Sequence, residues 1–167
     1  MTKGKAMAED NHAVIMLRAR FADSIISAKK FRGEVTVTVG KEAIIGICGF
    51  LKENLRYNLL TDVTAVDYMG NSPRFMMVYH LYSIPDKERL RLKAPIAESD
   101  LTIDSLVPLW NGANWLEREV YDLFGISFNN HPDLRRILMP DNWTGHPLRK
   151  DYPLQGPDRE PYKGRLS

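Results

Sequence analysis

Residues 74–96, RFMMVYHLYSIPDKERLRLKAPI, decide the fold. From Arg74 to Ile84 the run is dense in Phe, Met, Val and Tyr at both odd and even positions, which predicts a long central strand with apolar residues on both faces. Pro85-Asp86 begins a reversal. On the return, Leu90, Leu92, Ala94 and Ile96 alternate with Arg89, Arg91 and Lys93, a strand with one buried side and one solvated basic side. The two runs form a hairpin.

Working back from it, Leu59–Tyr68 reads as a strand that ends in a turn over Gly70-Asn71-Ser72-Pro73. Glu34–Val39 alternates strictly, three valines on one face, until Gly40 breaks it. Between them, Glu42–Arg56 predicts a helix whose stripe is Ile44, Cys48, Leu51 and Leu55, with Cys48 as a small buried thiol. An earlier helix, capped by Asp10 or Asn11, carries Val14, Leu17, Phe21 and Ile25 at helical spacing and ends near Lys30, ahead of Gly33. The expected fold class is α+β: a small sandwich of helices on one face of a mainly antiparallel sheet, followed by a helix and an extended Pro-rich C-terminal tail.

That last helix is expected over Trp115–Phe124. Asn114 and Glu117 have the spacing of a capping box, and Gly125 stops the helix. Leu116, Val120, Leu123 and Phe124 form its buried stripe, with Arg118, Glu119 and Asp122 on the other side. Beyond it, Pro132, Pro140, Pro147, Pro153, Pro157 and Pro161 forbid long helices and central strands. Yet Leu134, Ile137, Leu138, Met139, Trp143 and Tyr152 make the segment too apolar for a free linker. The expected division is an α+β domain over residues 1–125 and an extended, partner-clamping tail over residues 126–167.

The chain has 167 residues, 23 basic against 21 acidic for a net charge of +2, and one cysteine. That length suits one domain with a real core. The near balance supplies no bulk field for nucleic acid or an anionic membrane. A lone Cys48 excludes an internal disulfide framework, a thiolate zinc site and a self-contained iron–sulfur cluster. The first dozen residues do not read as a secretory signal, and no run of about 18 apolar residues spans a bilayer.

Chemistry-bearing residues concentrate in Trp115–Pro153. His131 and His146 each precede a proline and have no ligand partner at a helical offset, so they do not predict a metal site. Within this segment five basic residues meet six acidic ones, leaving none of the uncompensated charge that a nucleic-acid backbone requires. Arg135, Arg136, Arg149, Lys150 and Asp151 instead suit salt bridges at a protein interface, with Trp143 and Tyr152 as aromatic anchors. Neither a phosphate-binding Gly-rich loop nor a nucleophile with its base occurs, which disfavours a free-standing enzyme. No catalytic, cofactor-binding or metal-ligating set is expected.

The runs LEREVYDLFGI (residues 116–126), HPDLRRIL (131–138) and GHPLRKDYP (145–153) resemble the signature of the C subunit of respiratory complex I, the thirty-kilodalton-type subunit of NADH:quinone oxidoreductase. Weaker similarity covers Asp62–Tyr68, Val78–Leu81 and Trp110–Asn114. The resemblance implies a peripheral-arm subunit with no redox centre of its own, in a translocase that uses FMN, iron–sulfur clusters and quinone. It implies packing against the large quinone-site subunit, near the small iron–sulfur subunit. It also implies attachment through the complex to the cytoplasmic face of a bacterial membrane. The expected interface residues are Glu119, Asp122, His131, Arg135, Arg136, Trp143, His146, Arg149, Lys150, Asp151 and Tyr152. On this view Arg135, Arg136, Arg149 and Lys150 pair with carboxylates of the large subunit. A homologous subunit of a ferredoxin- or hydrogenase-linked membrane complex is the alternative.

Overall fold

The computed structural model describes residues 11–154. Its elements are α1 (His12–Phe21), β1 (Ile25–Phe31), β2 (Glu34–Val39), α2 (Ile44–Asn54), β3 (Leu59–Asp67), β4 (Phe75–Ser83), β5 (Glu88–Ile96), β6 (Thr102–Asp104), α3 (Ala113–Phe124) and β7 (Ser127–Asn129), with short 3-10 turns before β1 and α2. The main sheet has five strands in the order β1-β2-β5-β4-β3, and β6 and β7 form a small parallel pair.

The 74–96 hairpin is the spine of this sheet. β4 pairs antiparallel with both β3 and β5, so it is interior. β2 pairs with β5 in parallel, an exception to an otherwise antiparallel sheet that follows from the α2 crossover separating them. A row such as Val37, Leu92, Tyr79 and Val63 runs straight across four strands and is buried throughout. Val14 and Leu17 of α1, Ile44, Ile47, Cys48 and Leu51 of α2, and Val120 and Phe124 of α3 complete that core. The helices therefore cover one face, as expected. Cys48 is fully buried and its thiol is held un-ionised, first by burial and then by Glu117.

The N-terminal region differs from the expectation. Asn11 does cap α1, accepting the Val14 N–H at 3.3 Å, while Asp10 lies outside the described residues. The helix ends at Phe21, however, and residues 25–31 form an additional strand. Ile25 keeps the helical spacing only by coincidence. Arg32 and Gly33 take φ values of 49° and 85° and turn the chain tightly from Phe31 to Glu34, so Gly33 serves a hairpin and not a helix end. The pairing gives β2 a neighbour that an isolated alternating strand would lack.

After α3, β7 places Ile126 and Phe128 in the core, so the packed body continues past residue 125. From residue 130 to 154 there is neither helix nor strand.

Candidate functional site: the α3–tail clasp

α3 begins at Ala113 with Gly112 ahead of it and no side-chain cap; Asn114 already lies in the first turn. The expected capping box is therefore absent. Glu117 instead turns inward, where its carboxyl accepts Ser105 Oγ and the Leu106 N–H, each at 2.6 Å. It is wholly buried. Burial raises its pKa to about 7, against the opposing pull of those two donors. His131 lies alongside, Nε2 3.9 Å from the Glu117 carboxylate. Its Nδ1 accepts the Asp133 N–H, and its Nε2–H donates to the Asn114 carbonyl.

The opposite side of α3 is buried as well, by the tail. Arg118, expected on an open side, is buried and donates to the carbonyls of Arg135 and Arg136. Asp122 is the hub. Its Oδ2 accepts three successive N–H groups, of Ile137, Leu138 and Met139, at 3.0, 2.8 and 2.8 Å. Its Oδ1 accepts Arg136 Nη1 at 2.6 Å. Burial alone would raise this carboxyl, but Met139, Arg136, Leu138 and Ile137 together outweigh it and hold the group below the usual range.

The tail also completes the C-terminus of α3. A helix leaves its last four carbonyls without partners. Here the Gly125 N–H donates to the Tyr121 carbonyl, Arg136 and His146 Nδ1 to that of Asp122, the Leu148 N–H to that of Leu123, and Arg149 Nε to that of Phe124. Two of these donors are guanidinium cations at the negative end of the helix dipole. Gly125 has φ 72°, and a Cβ there would lie 2.5 Å from both Arg149 and His146. Glycine is required twice over, for its backbone angle and for the approach of the tail. The pKa of His146 is lowered, first by burial.

A second fastening lies at the end of β3 and β4. Buried Arg74 forks onto Asp67 at 2.9 and 2.8 Å and also pairs with Glu98 and with Asp151 of the tail. Asp67 accepts the Lys150 N–H at 2.8 Å. Asp67 and Arg74 flank one turn, but Glu98 follows β5 and Asp151 lies in the tail, so the four are not legible as one group in the sequence.

Of the expected interface residues, Asp122, Arg136, His146 and Arg149 thus converge on one internal network. Arg136 also donates to the Trp143 and Gly145 carbonyls. Arg136 and Arg149, expected to pair with carboxylates of another subunit, donate within the chain to Asp122 and to the Phe124 carbonyl. Glu119, Arg135 and Lys150 are exposed, Arg135 pairing locally with Asp133. Trp143 is half-buried, and Tyr152 is half-buried against Gly145. The outer surface carries large apolar side chains: Trp115 is 61%, Leu138 60% and Leu148 52% exposed. Among the described residues no group of three His, Cys, Asp or Glu is placed to hold a metal ion, and no helix is long and apolar enough to cross a membrane.

The α+β fold, a mainly antiparallel sheet with few helices, agrees with the comparisons. Residues 37–158 match the family model described as respiratory-chain NADH dehydrogenase, 30 Kd subunit. The C subunit of NADH-quinone oxidoreductase from Geotalea uraniireducens is 71% identical over 96% of this chain and 98% of its own length. The protein of the same name from Geobacter sulfurreducens is 70% identical over 96% of this chain and 100% of its own. Among solved structures, the trypsin-resistant fragment (1-134) of Nqo5 superposes with a TM-score of 0.65 at 32% identity, covering 72% of this chain and 97% of the fragment. A chain of an archaeal membrane-bound sulfane sulfur reductase superposes with a TM-score of 0.73 over 84% of each chain; at 21% identity it shows the fold alone. The chain belongs to the 30 kDa subunit family of respiratory-chain NADH dehydrogenase.

Proposed function

We propose that the chain is a non-catalytic peripheral-arm subunit of a proton-translocating NADH:quinone oxidoreductase, and that the outer surface of the α3–tail clasp docks on the large quinone-site subunit beside the small iron–sulfur subunit. The observation that carries this reading is the exposure of Trp115, Leu138 and Leu148 on a segment whose Arg118, Asp122 and Arg136 already bond within the chain. Exposed Glu119, Arg135 and Lys150 on the same helix and tail supply charge beside this apolar set, as interfaces with an apolar centre and a polar rim do. FMN, the iron–sulfur clusters and quinone are assigned on this reading to other subunits. Attachment to the cytoplasmic face of the membrane then comes through the complex. The names of the most similar relatives favour NADH as the donor over a ferredoxin- or hydrogenase-linked complex.

The test is native purification from membranes through a tag on this chain, with Leu148→Glu beside the unaltered sequence. Recovery of the quinone-site, iron–sulfur and NADH-binding subunits with the unaltered chain, and their loss with the variant, is the expected result. Recovery of the chain alone would overturn the reading, and a nickel subunit in place of the NADH-binding module would favour the alternative.

A further inference from the structure

The sheet has a second face, and its composition is not that of a solvated surface. β4 presents Met76, Val78, His80 and Tyr82 there, none of them a carboxylate, Lys or Arg. Their neighbours across the ladder include Val66 and Pro95, one on each side of Met76, so an apolar row spans β3, β4 and β5. Val78 is buried by its neighbours, whereas Val66, Met76, Tyr82 and Pro95 remain only half-buried. An antiparallel sheet with one wet face alternates apolar with polar. β4 has instead the pattern of a strand covered on both sides, yet the helices that share its core lie on the other side.

The charges on this face do not balance. The row Lys29, Thr36, Arg91, His80 and Asp62 crosses all five strands, and Lys93 and Arg89 flank it on β5. Arg91 is paired with Glu34. Lys29 and Lys93 have no ion pair among the described residues, and the described contact of Arg89 is with the Tyr82 ring, 6.0 Å away. Four cations (Lys29, Arg89, Arg91, Lys93) therefore face two carboxylates (Glu34, Asp62) on this side of the sheet. Phe31, opposite Glu34, is 72% exposed at the rim. Between Arg89, Arg91, His80 and Tyr82 lies a cleft of about 300 Å³.

We propose that this face is a second docking surface, and that its occupant is an amphipathic helix with an acidic flank from a neighbouring polypeptide of the complex. Helices and sheets cover each other in layers, and a helix about 10 Å across matches the roughly 10 Å of two inter-strand spacings that the apolar row spans. The helix lies along β4, its apolar side on Met76, Val78 and Tyr82. Its carboxylates meet Lys93 and Arg89, the cations left unpaired. Tyr82 acts as the aromatic anchor that such contacts favour.

The inference rests on the reading of the chain as a subunit of a larger complex, and the test separates the two. The complex, purified through the tagged chain, and the isolated chain are each treated with acetic anhydride, and a second portion of the complex with a carbodiimide, which joins amines directly to carboxylates. Lys93 is expected to be acetylated in the isolated chain and to lose that acetylation in the complex. The carbodiimide is expected to join it to an Asp or Glu within a helical segment of another subunit. If the other subunits co-purify but the Lys93 amine stays as reactive as in the isolated chain, this inference fails while the reading of the complex stands. If nothing co-purifies, the reading itself fails. Protection of the isolated chain by vesicles containing phosphatidylglycerol would assign the face to a lipid surface and overturn the proposal. As an independent check, Arg89→Glu with Lys93→Glu should leave the circular dichroism of the chain unchanged and lower its recovery with the complex; undiminished recovery counts against the proposal.

Discussion

Asp122 and Arg136 lie 14 residues apart in sequence and meet at 2.6 Å, with Asp122 fully buried. The pair is one part of a denser arrangement, since the same carboxylate gathers three main-chain N–H groups of the tail. Removing its charge leaves a guanidinium without its counter-ion in a mostly buried site. Asp122→Asn should therefore cost about 3 kcal/mol. Urea denaturation of the purified chain reads this directly, and a change within error of zero would contradict the hub.

Gly125→Ala tests the clasp by shape alone. The αL backbone costs a non-glycine residue about 1 kcal/mol before any clash. The new methyl also meets Arg149 and His146. The tail should become the first site of cleavage in limited proteolysis, with the sheet intact. Equal cleavage kinetics for variant and parent would exclude this role.

Glu117 makes stability depend on pH in a definite direction. Its folded pKa is raised from an ordinary 4.5 to about 7, so across that window the folded chain holds more protons than the unfolded one. Stability then falls as pH rises from about 4.5 to 7 and loses nothing further from this group above it. Glu117→Gln keeps an acceptor for the Leu106 N–H and should flatten that slope. A parent chain whose melting temperature climbs steadily through the window, with the variant parallel to it, would refute the assignment.

Asp67 and Asp122 have the opposite sign. Both carboxyls are held below the usual range, Asp67 chiefly by Arg74 and Asp122 by donors that outweigh its burial. Their contribution is complete above the unfolded value of about 3.9 and is lost as pH falls through the folded ones. Tail protection, followed by amide hydrogen exchange, should weaken on acidification below about pH 4 ahead of the core strands.

Tyr79 is fully buried, and its hydroxyl has no hydrogen-bond partner among the described residues. An unmet buried hydroxyl costs about 1–3 kcal/mol. Tyr79→Phe should thus be neutral or stabilising by about 1 kcal/mol, seen as an unchanged or higher urea midpoint. A clear loss of stability would reveal a partner for that oxygen.

Strands β2 to β5 and α2 are legible in the sequence because their apolar periods are clean and their breakers, Gly40 and the 70–73 turn, are unambiguous; the three-residue strands β6 and β7 are too short to show a period. Ile25 misleads because a strand start happens to continue a helical spacing; the decisive signal, Arg32-Gly33 followed at once by an alternating run, lies just beyond the supposed helix. Glu117 mimics a capping residue because its spacing from Asn114 fits one, whereas its partners sit in a turn that only tertiary packing brings near. The concentration of site residues in the tail is readable from composition. That Arg136 and Arg149 serve the chain's own helix is not, because carbonyl acceptors leave no trace in a sequence of side chains. Leu138 looks too apolar to be left in water for the related reason that burial depends on which neighbour arrives first.

The completion of the α3 terminus by residues 136–149 has a consequence for synthesis. The last helix leaves the ribosome well before the donors that finish it, so the carbonyls of Asp122, Leu123 and Phe124 stay hydrated until Arg149 has emerged. A chain cut short after β7 but before Arg149 should keep its sheet and lose the donors that fasten the tail beside Trp115. On the proposed reading, incorporation would then depend on the donors that meet three main-chain oxygens.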